Sequence, residues 1–334
     1  MADIEVRHAI LHILDLAEGT TLLSAAELPL EAGTMDFLEK HVARAMASQD
    51  AKEGKFYEDS EFAKDFAAYL EQGTDFVSFS QKAAQVLEQA LLSAEEMQTA
   101  DFFVVDAFVD GVRKIVLLKS GAHPGFVHRV VQAEGGAKNE IAQVVMLPGP
   151  AQRMDEFAVV DAESRAVHVL AKKYTIDGNS IVVLPELLLE CTSTPSPREA
   201  IKKVSEAAKK VAEAYGRDEV ETAAAVKSFV AEKMQDTDML DPMDAGREVF
   251  HDNPAMQADY EAAIKEAGIA DPVRMDQEQT LKKMRSHKLK TDTGIELTIP
   301  IDYFDNTEYV EFNNDADGSL SITLKHIQNI QNRG

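Results

Sequence analysis

A single cysteine, Cys191, in 334 residues leaves the chain unable to form an internal disulfide. That excludes the small disulfide-stapled folds and points to a reducing compartment. Long apolar runs are missing too. The best of them, residues 181–184 and 187–189, fall far short of the roughly 18 residues that a membrane-spanning helix needs. The N-terminus carries Asp3 and Glu5 where a secretory signal would place basic residues, so the expected compartment is the cytoplasm. Nucleotide-binding and hydrolase patterns are also absent. Gly135-Gly136 lacks the spacing of a dinucleotide fingerprint, no Gly-Lys-Ser/Thr run marks a phosphate loop, and there is no Gly-x-Ser-x-Gly elbow.

Positive charge is the other scarcity. The chain holds 34 Lys and Arg against 58 Asp and Glu, a net charge of −24. Its first hundred residues carry 19 acidic side chains against 7 basic ones. Such a region repels phosphate at long range and is not expected to hold DNA unaided. Its acidity serves solubility, or else offers a face that meets a basic partner or imitates DNA.

What is present is ordinary for a globular chain, with 45% apolar and 28% charged residues and a length that suits two domains. Residues 4–16 read as a strand, and Met35, Leu38, Val42 and Met46 recur at helical spacing over 32–47. Asp59-Ser60-Glu61 opens a second helix that Gly73 closes. Thr74 or Asp75 caps a third, with Phe76, Phe79, Ala83, Val86, Leu87 and Leu91 as its expected core stripe. Residues 102–118 form a hairpin about Asp110-Gly111, a dipeptide suited to the positive φ values of a type I′ turn. Further strands are expected at 126–131, 143–147, 157–160 and 167–170. The predicted fold class is α+β: an N-terminal, mainly antiparallel sheet with packed helices over 1–192, then a helical region with a small C-terminal β unit over 193–334. Ser-Thr-Pro-Ser-Pro at 193–197 reads as the linker. Helices are expected at 198–216, 218–235, 241–250 and 254–267. Strands return after Lys288, and Asp317-Gly318 turns the last pair.

Four motifs invite chemistry. Asp292-Thr293-Gly294 has the form of an aspartic-protease triplet, yet Lys290-Thr291 precede it and a proton-sharing dyad would need a second copy. A glycine turn between strands accounts for it equally well. Asn313-x-Asp315-x-Asp317-Gly318 copies the start of a calcium loop, but its twelfth position is Leu324 instead of a bidentate glutamate. His8 and His12 have the helical spacing of a metal pair inside a predicted strand. Cys191 follows an apolar segment and reads as buried, not nucleophilic. No catalytic residue, metal ligand or cofactor is assigned.

Two basic clusters stand against the acidic background. Arg198, Lys202, Lys203, Lys209 and Lys210 lie opposite the apolar face of the 198–216 helix, interspersed with Glu206 and Glu213 as on a solvated, ion-paired surface. Lys282, Lys283, Arg285, Lys288 and Lys290 are denser, with His287 among them and no acid. Backbone phosphate is the natural ligand of such a run, and a solvated linker is the alternative. It contains no interleaved aromatic residue for base stacking.

The second cluster leads into Lys288-Leu289-Lys290-Thr291-Asp292-Thr293-Gly294-Ile295-Glu296-Leu297-Thr298-Ile299-Pro300. This resembles the C-terminal signature of the NdpA-type bacterial nucleoid-associated proteins. Asp317-Gly318-Ser319-Leu320-Ser321-Ile322-Thr323-Leu324 is similar to that family's closing hairpin, with His326 where Asn is more familiar. His8-Ala9-Ile10-Leu11-His12, Phe76-Val77-Ser78-Phe79-Ser80 and Leu187-Leu188-Leu189-Glu190-Cys191 resemble earlier family segments in order. The resemblance implies association with the nucleoid, DNA binding that is direct or through a partner, and interaction with DNA-topology proteins such as type II topoisomerases. It implies no reaction and no cofactor. The expected function is therefore a non-enzymatic, nucleoid-associated binding protein. Alternatives are an interaction module whose acidic face docks a basic protein, or an enzyme acting on nucleic acid or peptide. The C-terminal β unit is too small to bury both its faces, so it is expected to pack on the helices or to pair in a homodimer.

Overall fold

Strand β4 of the first unit is buried along nearly its whole length, and a strand buried on both faces needs cover on both. The computed structural model describes all residues except 1, 17–18, 97–98, 134–135, 305, 315–319 and 330–334. The Asp317-Gly318 turn and most of the calcium-like pattern thus lie outside the described residues. Two units are distinguished, Met1–Ser196 and Pro197–Gly334.

In the first unit the strands are β1 (Ile4–Asp15), β2 (Thr20–Leu22), β3 (Lys52–Lys55), β4 (Ala100–Val109), β5 (Val112–Gly121), β6 (His123–Ala133), β7 (Gly136–Met146), β8 (Glu156–Asp161), β9 (Ala166–Leu170), β10 (Lys173–Ile176) and β11 (Asn179–Val182). Seven of them form one sheet in the order β2-β1-β4-β5-β8-β9-β3, antiparallel at every pairing. Alternation sorts the side chains to two cores. Ile10, Leu14, Phe102, Val104, Ile115 and Leu117 face helices α2 (Glu61–Leu70) and α3 (Phe76–Leu92). Ala9, Phe103, Val105, Val116 and Leu118 face α1 (Ala32–Met46) through Leu38 and Val42. The α+β fold class is therefore the observed one.

Local signals explain most boundaries. Ser60 caps α2 by accepting from Ala63 N–H at 3.0 Å, and Asp75 caps α3 by accepting from Ser78 N–H at 2.9 Å. Asp110 and Gly111 have φ of 49° and 80°, as the β4–β5 turn requires, and Asp177-Gly178 repeats the device at 50° and 74°. The end of α2 differs from expectation: Gln72, not Gly73, takes the left-handed conformation (φ 62°), and Gly73 N–H then reaches Ala68 O at 2.8 Å. Instead of two short strands at 126–131 and 143–147 there is one long hairpin, β6–β7, that pairs only with itself.

The second unit packs helices α4 (Pro197–Ala214), α5 (Glu219–Asp236), α6 (Pro242–Val249) and α7 (Pro254–Glu266) around Val204, Ala208, Val230, Phe250 and Tyr260. A further helix, α8 (Gln277–Met284), was not expected from the sequence. Only Leu281 and Met284 mark its apolar face, too few for a periodic signal, and Asp276 supplies its cap by accepting from Gln279 N–H at 2.8 Å. Short pairs follow: β12 (Met239–Leu240) with β13 (Val273–Arg274), β14 (Ser286–Lys290) with β15 (Glu296–Pro300), and β16 (Val310–Asn314) with β17 (Leu320–Leu324). One turn of helix, α9 (Ile301–Phe304), links the last two hairpins. Ile299, Phe304 and Val310 pack on Ala224 of α5, so the C-terminal β unit is seated on the helices. No helix among the described residues is long and apolar enough to cross a membrane.

Candidate nucleic-acid interface

The basic run begins on a helix end and continues into a strand. Lys282 and Lys283 occupy the last turn of α8, where cations oppose the negative end of the helix dipole. Lys282 pairs with Glu278 at 2.5 Å, and Lys290 pairs with Glu296 across the β14–β15 hairpin at 3.1 Å. Lys283 also has a partner. Arg285 and Lys288 are exposed and have no ion-pair partner among the described residues. Exposed pairs such as Lys282–Glu278 contribute little, so they can be exchanged for a phosphate at little cost.

Packing of α4, α5 and β14 adds what the linear run lacks. Lys288 lies on a groove of about 310 Å³ together with Lys209 from α4 and Lys227 from α5. Ile201, Val220, Val230, Leu289 and Phe304 supply apolar walls. Lys227 is half-buried and donates a hydrogen bond to Ser286 O. Burial, and then the neighbouring Lys288 charge, push its pKa below the usual lysine range. The ring of His287 lies against that of Phe304, tilted by 36° with centroids 4.0 Å apart. His287 lines the same groove, and its Nε2 is buried without a hydrogen-bond partner. Burial first, and Lys227 second, lower its pKa to about 4. Three cations and an unsatisfied ring nitrogen therefore converge from three elements. An anion is the ligand that relieves the mutual repulsion of the lysines.

Of the sequence-predicted residues, Lys288 alone lines this groove, while Lys282, Lys283, Arg285 and Lys290 do not. Lys209 comes from the other basic cluster. Lys227 was missed, because a lone lysine between Val226 and Ser228 gives no signal until α5 is packed.

The other motifs resolve into structure. Asp292 sits in the exposed β14–β15 turn, where its Oδ1 accepts from Thr293 N–H at 2.9 Å and Gly294 adopts φ 89°. Side chains of His8 and His12 share one face of β1 but have different tasks. His8 meets Glu27 at 2.9 Å, and His12 is buried against Ser80. Burial raises the Cys191 thiol to about 12, leaving it a poor nucleophile. Two buried charge networks brace the first unit. Asp106 accepts from Tyr69 OH at 2.5 Å and from the Arg113 fork, and Glu156 accepts from Lys119 Nζ at 2.7 Å, from Tyr174 OH and from Lys172 N–H. Among the described residues no three His, Cys, Asp or Glu side chains are grouped as a metal site would require.

Residues 10–331 match the family described as nucleoid-associated protein YejK. No curated protein matches the chain.

Proposed function

Because the chain belongs to the YejK family of nucleoid-associated proteins, we propose that it is a non-enzymatic binding protein of the nucleoid that touches duplex DNA through the cationic groove of its second unit. The observation that carries this reading is the convergence of Lys209, Lys227 and Lys288 beside the unpaired Nε2 of His287. Arg285 and the exchangeable Lys282, Lys283 and Lys290 extend the cationic surface along the phosphate backbone. Phosphate contacts carry no base information, so the proposed contact is independent of sequence.

The test is fluorescence anisotropy of a labelled duplex over a salt series. Phosphate contacts from Lys209, Lys227, Lys288 and Arg285 give a slope of log affinity against log salt of about −3 to −4. Lys209→Ala with Lys288→Ala should flatten it by about 2 units. A slope near zero, or one that the double change leaves untouched, overturns direct contact. The second reading then applies, favoured by the acidic excess in the first hundred residues: that region docks a basic protein, with DNA-topology proteins such as type II topoisomerases as the class to try. Capture of such a protein should survive nuclease treatment of the lysate.

A further inference from the structure

In a chain with 58 acidic residues, the groove between α4, α5 and β14 is lined by three lysines and, among the described residues, by no Asp or Glu. Its charge is therefore of one sign. The lining is also sorted by depth. Ala224, Val230, Met284 and Phe304 are buried, Lys209 and Lys227 are half-buried, and Lys288 is exposed. Apolar groups thus form the floor, and the lysines form a rim nearer to water, as their long stems allow. Lys227 is held on that rim by its hydrogen bond to Ser286 O.

A phosphate of a duplex answers the rim of this groove and leaves the floor unused. At about 310 Å³ the groove falls at the small end of the range for small-molecule sites, which combine apolar walls with a few charged groups that fix orientation. Removal of apolar surface from water drives a hydrocarbon body onto the floor, while one anionic head relieves the repulsion among the lysines. His287 adds to the floor and not to the rim, since burial lowers its pKa to about 4 and leaves it uncharged at neutral pH. The two rings present, His287 and Phe304, are packed on each other. The remaining apolar walls, Ile201, Val220, Val230 and Leu289 among them, are aliphatic and suit a flexible alkyl chain.

We propose that the groove is a binding site for a small amphipathic anion, a medium-chain alkyl carboxylate. Its chain lies on Val230, Met284 and Phe304, and its carboxylate sits between Lys209 and Lys288. Those lysines are also the ones offered to duplex DNA, so carboxylate and duplex exclude each other, each weakening the other by the same factor. This exclusion rests on the DNA contact proposed above, whereas binding of the carboxylate does not.

Isothermal titration calorimetry of the full chain with decanoate, kept well below its micellar concentration, tests the site, and a single bound molecule per chain is expected. Decanol and inorganic phosphate each supply only one part of the chemistry and should bind roughly tenfold more weakly, or worse. Lys209→Ala with Lys288→Ala should weaken decanoate roughly tenfold or more and leave decanol unchanged. Ala223 lines the groove from α5 and is half-buried. Ala223→Leu therefore fills the groove while keeping every lysine, and it should abolish decanoate binding with unchanged far-ultraviolet circular dichroism. Decanol that binds as tightly as decanoate reduces the site to an apolar patch, and phosphate that does so reduces it to a simple anion site. Either result overturns the proposal, as does decanoate binding that survives both variants. If labelled duplex binds and decanoate fails to displace it, the shared site is overturned. If decanoate binds and duplex does not, the carboxylate site stands and the DNA contact alone falls.

Discussion

The costliest residues in this molecule are charges placed where water cannot reach them. Lys119 and Glu156 are both essentially buried, and Glu156 accepts hydrogen bonds from Lys119, Tyr174 and the Lys172 N–H. Removing one partner strands the other. Lys119→Met is therefore expected to cost about 3–5 kcal/mol in chemical denaturation, more than the lost packing explains. The sequence concealed this pair, because a lone Lys or Glu at a strand end reads as surface. His12 offers a second test. Ser24 N–H donates to its Nδ1 at 3.1 Å, so the ring proton sits on Nε2 and goes to Ser80 Oγ, also at 3.1 Å. Burial lowers the pKa from 6.5 to about 4. Between those values the unfolded chain takes up a proton that the folded chain refuses. The stability from neutral His12 is complete above pH 6.5 and falls as the pH drops towards 4, by about 3 kcal/mol at the acid end. In His12→Gln the unfolding free energy of the first unit should lose that part of its acid dependence, while an unchanged profile would mean that His12 does not titrate there.

Elements were legible where their signals are local. Asp110-Gly111 announced its hairpin because few other dipeptides tolerate two positive φ values, and Asp177-Gly178 carried the same signal unread. Strand β3, without an alternating pattern, could not be read, since Gly54 contributes no side chain and pairing with β9 defines it. Helix α8 was hidden by its shortness, and the groove it helps to wall was therefore hidden as well. Where two elements cross closely, a single atom decides the outcome. A Cβ on Gly246 of α6 would lie 2.1 Å from Cδ1 of Tyr260 on α7. That ring is fully buried and tied by its hydroxyl to Pro242 O at 3.0 Å, so it cannot swing aside. Gly246→Ala should destabilise the second unit by about 1–3 kcal/mol, and Tyr260→Leu in the same chain should recover part of the loss in thermal unfolding.

At the scale of the whole molecule, the unresolved tension is a nucleoid protein that carries a charge of −24. Counterion release depends on cations that touch phosphate, whereas long-range repulsion depends on total charge. The two effects separate if the same number of charges is removed at different places. Lys40 and Lys64, on α1 and α2, are exposed and already paired with Asp36 and Glu61. Lys40→Ala with Lys64→Ala makes the chain as acidic as Lys209→Ala with Lys288→Ala does. The first pair should lower duplex affinity slightly at low salt and leave the salt slope unchanged. The second should flatten the slope by about 2 units, because each lost contact removes about 0.9. Equal effects from the two pairs would mean that DNA senses only the net field of the protein, and the groove would then have no special part in binding. Unequal effects would mean that a strongly acidic chain holds DNA through one small cationic surface. Such binding would be weak and readily reversed by salt.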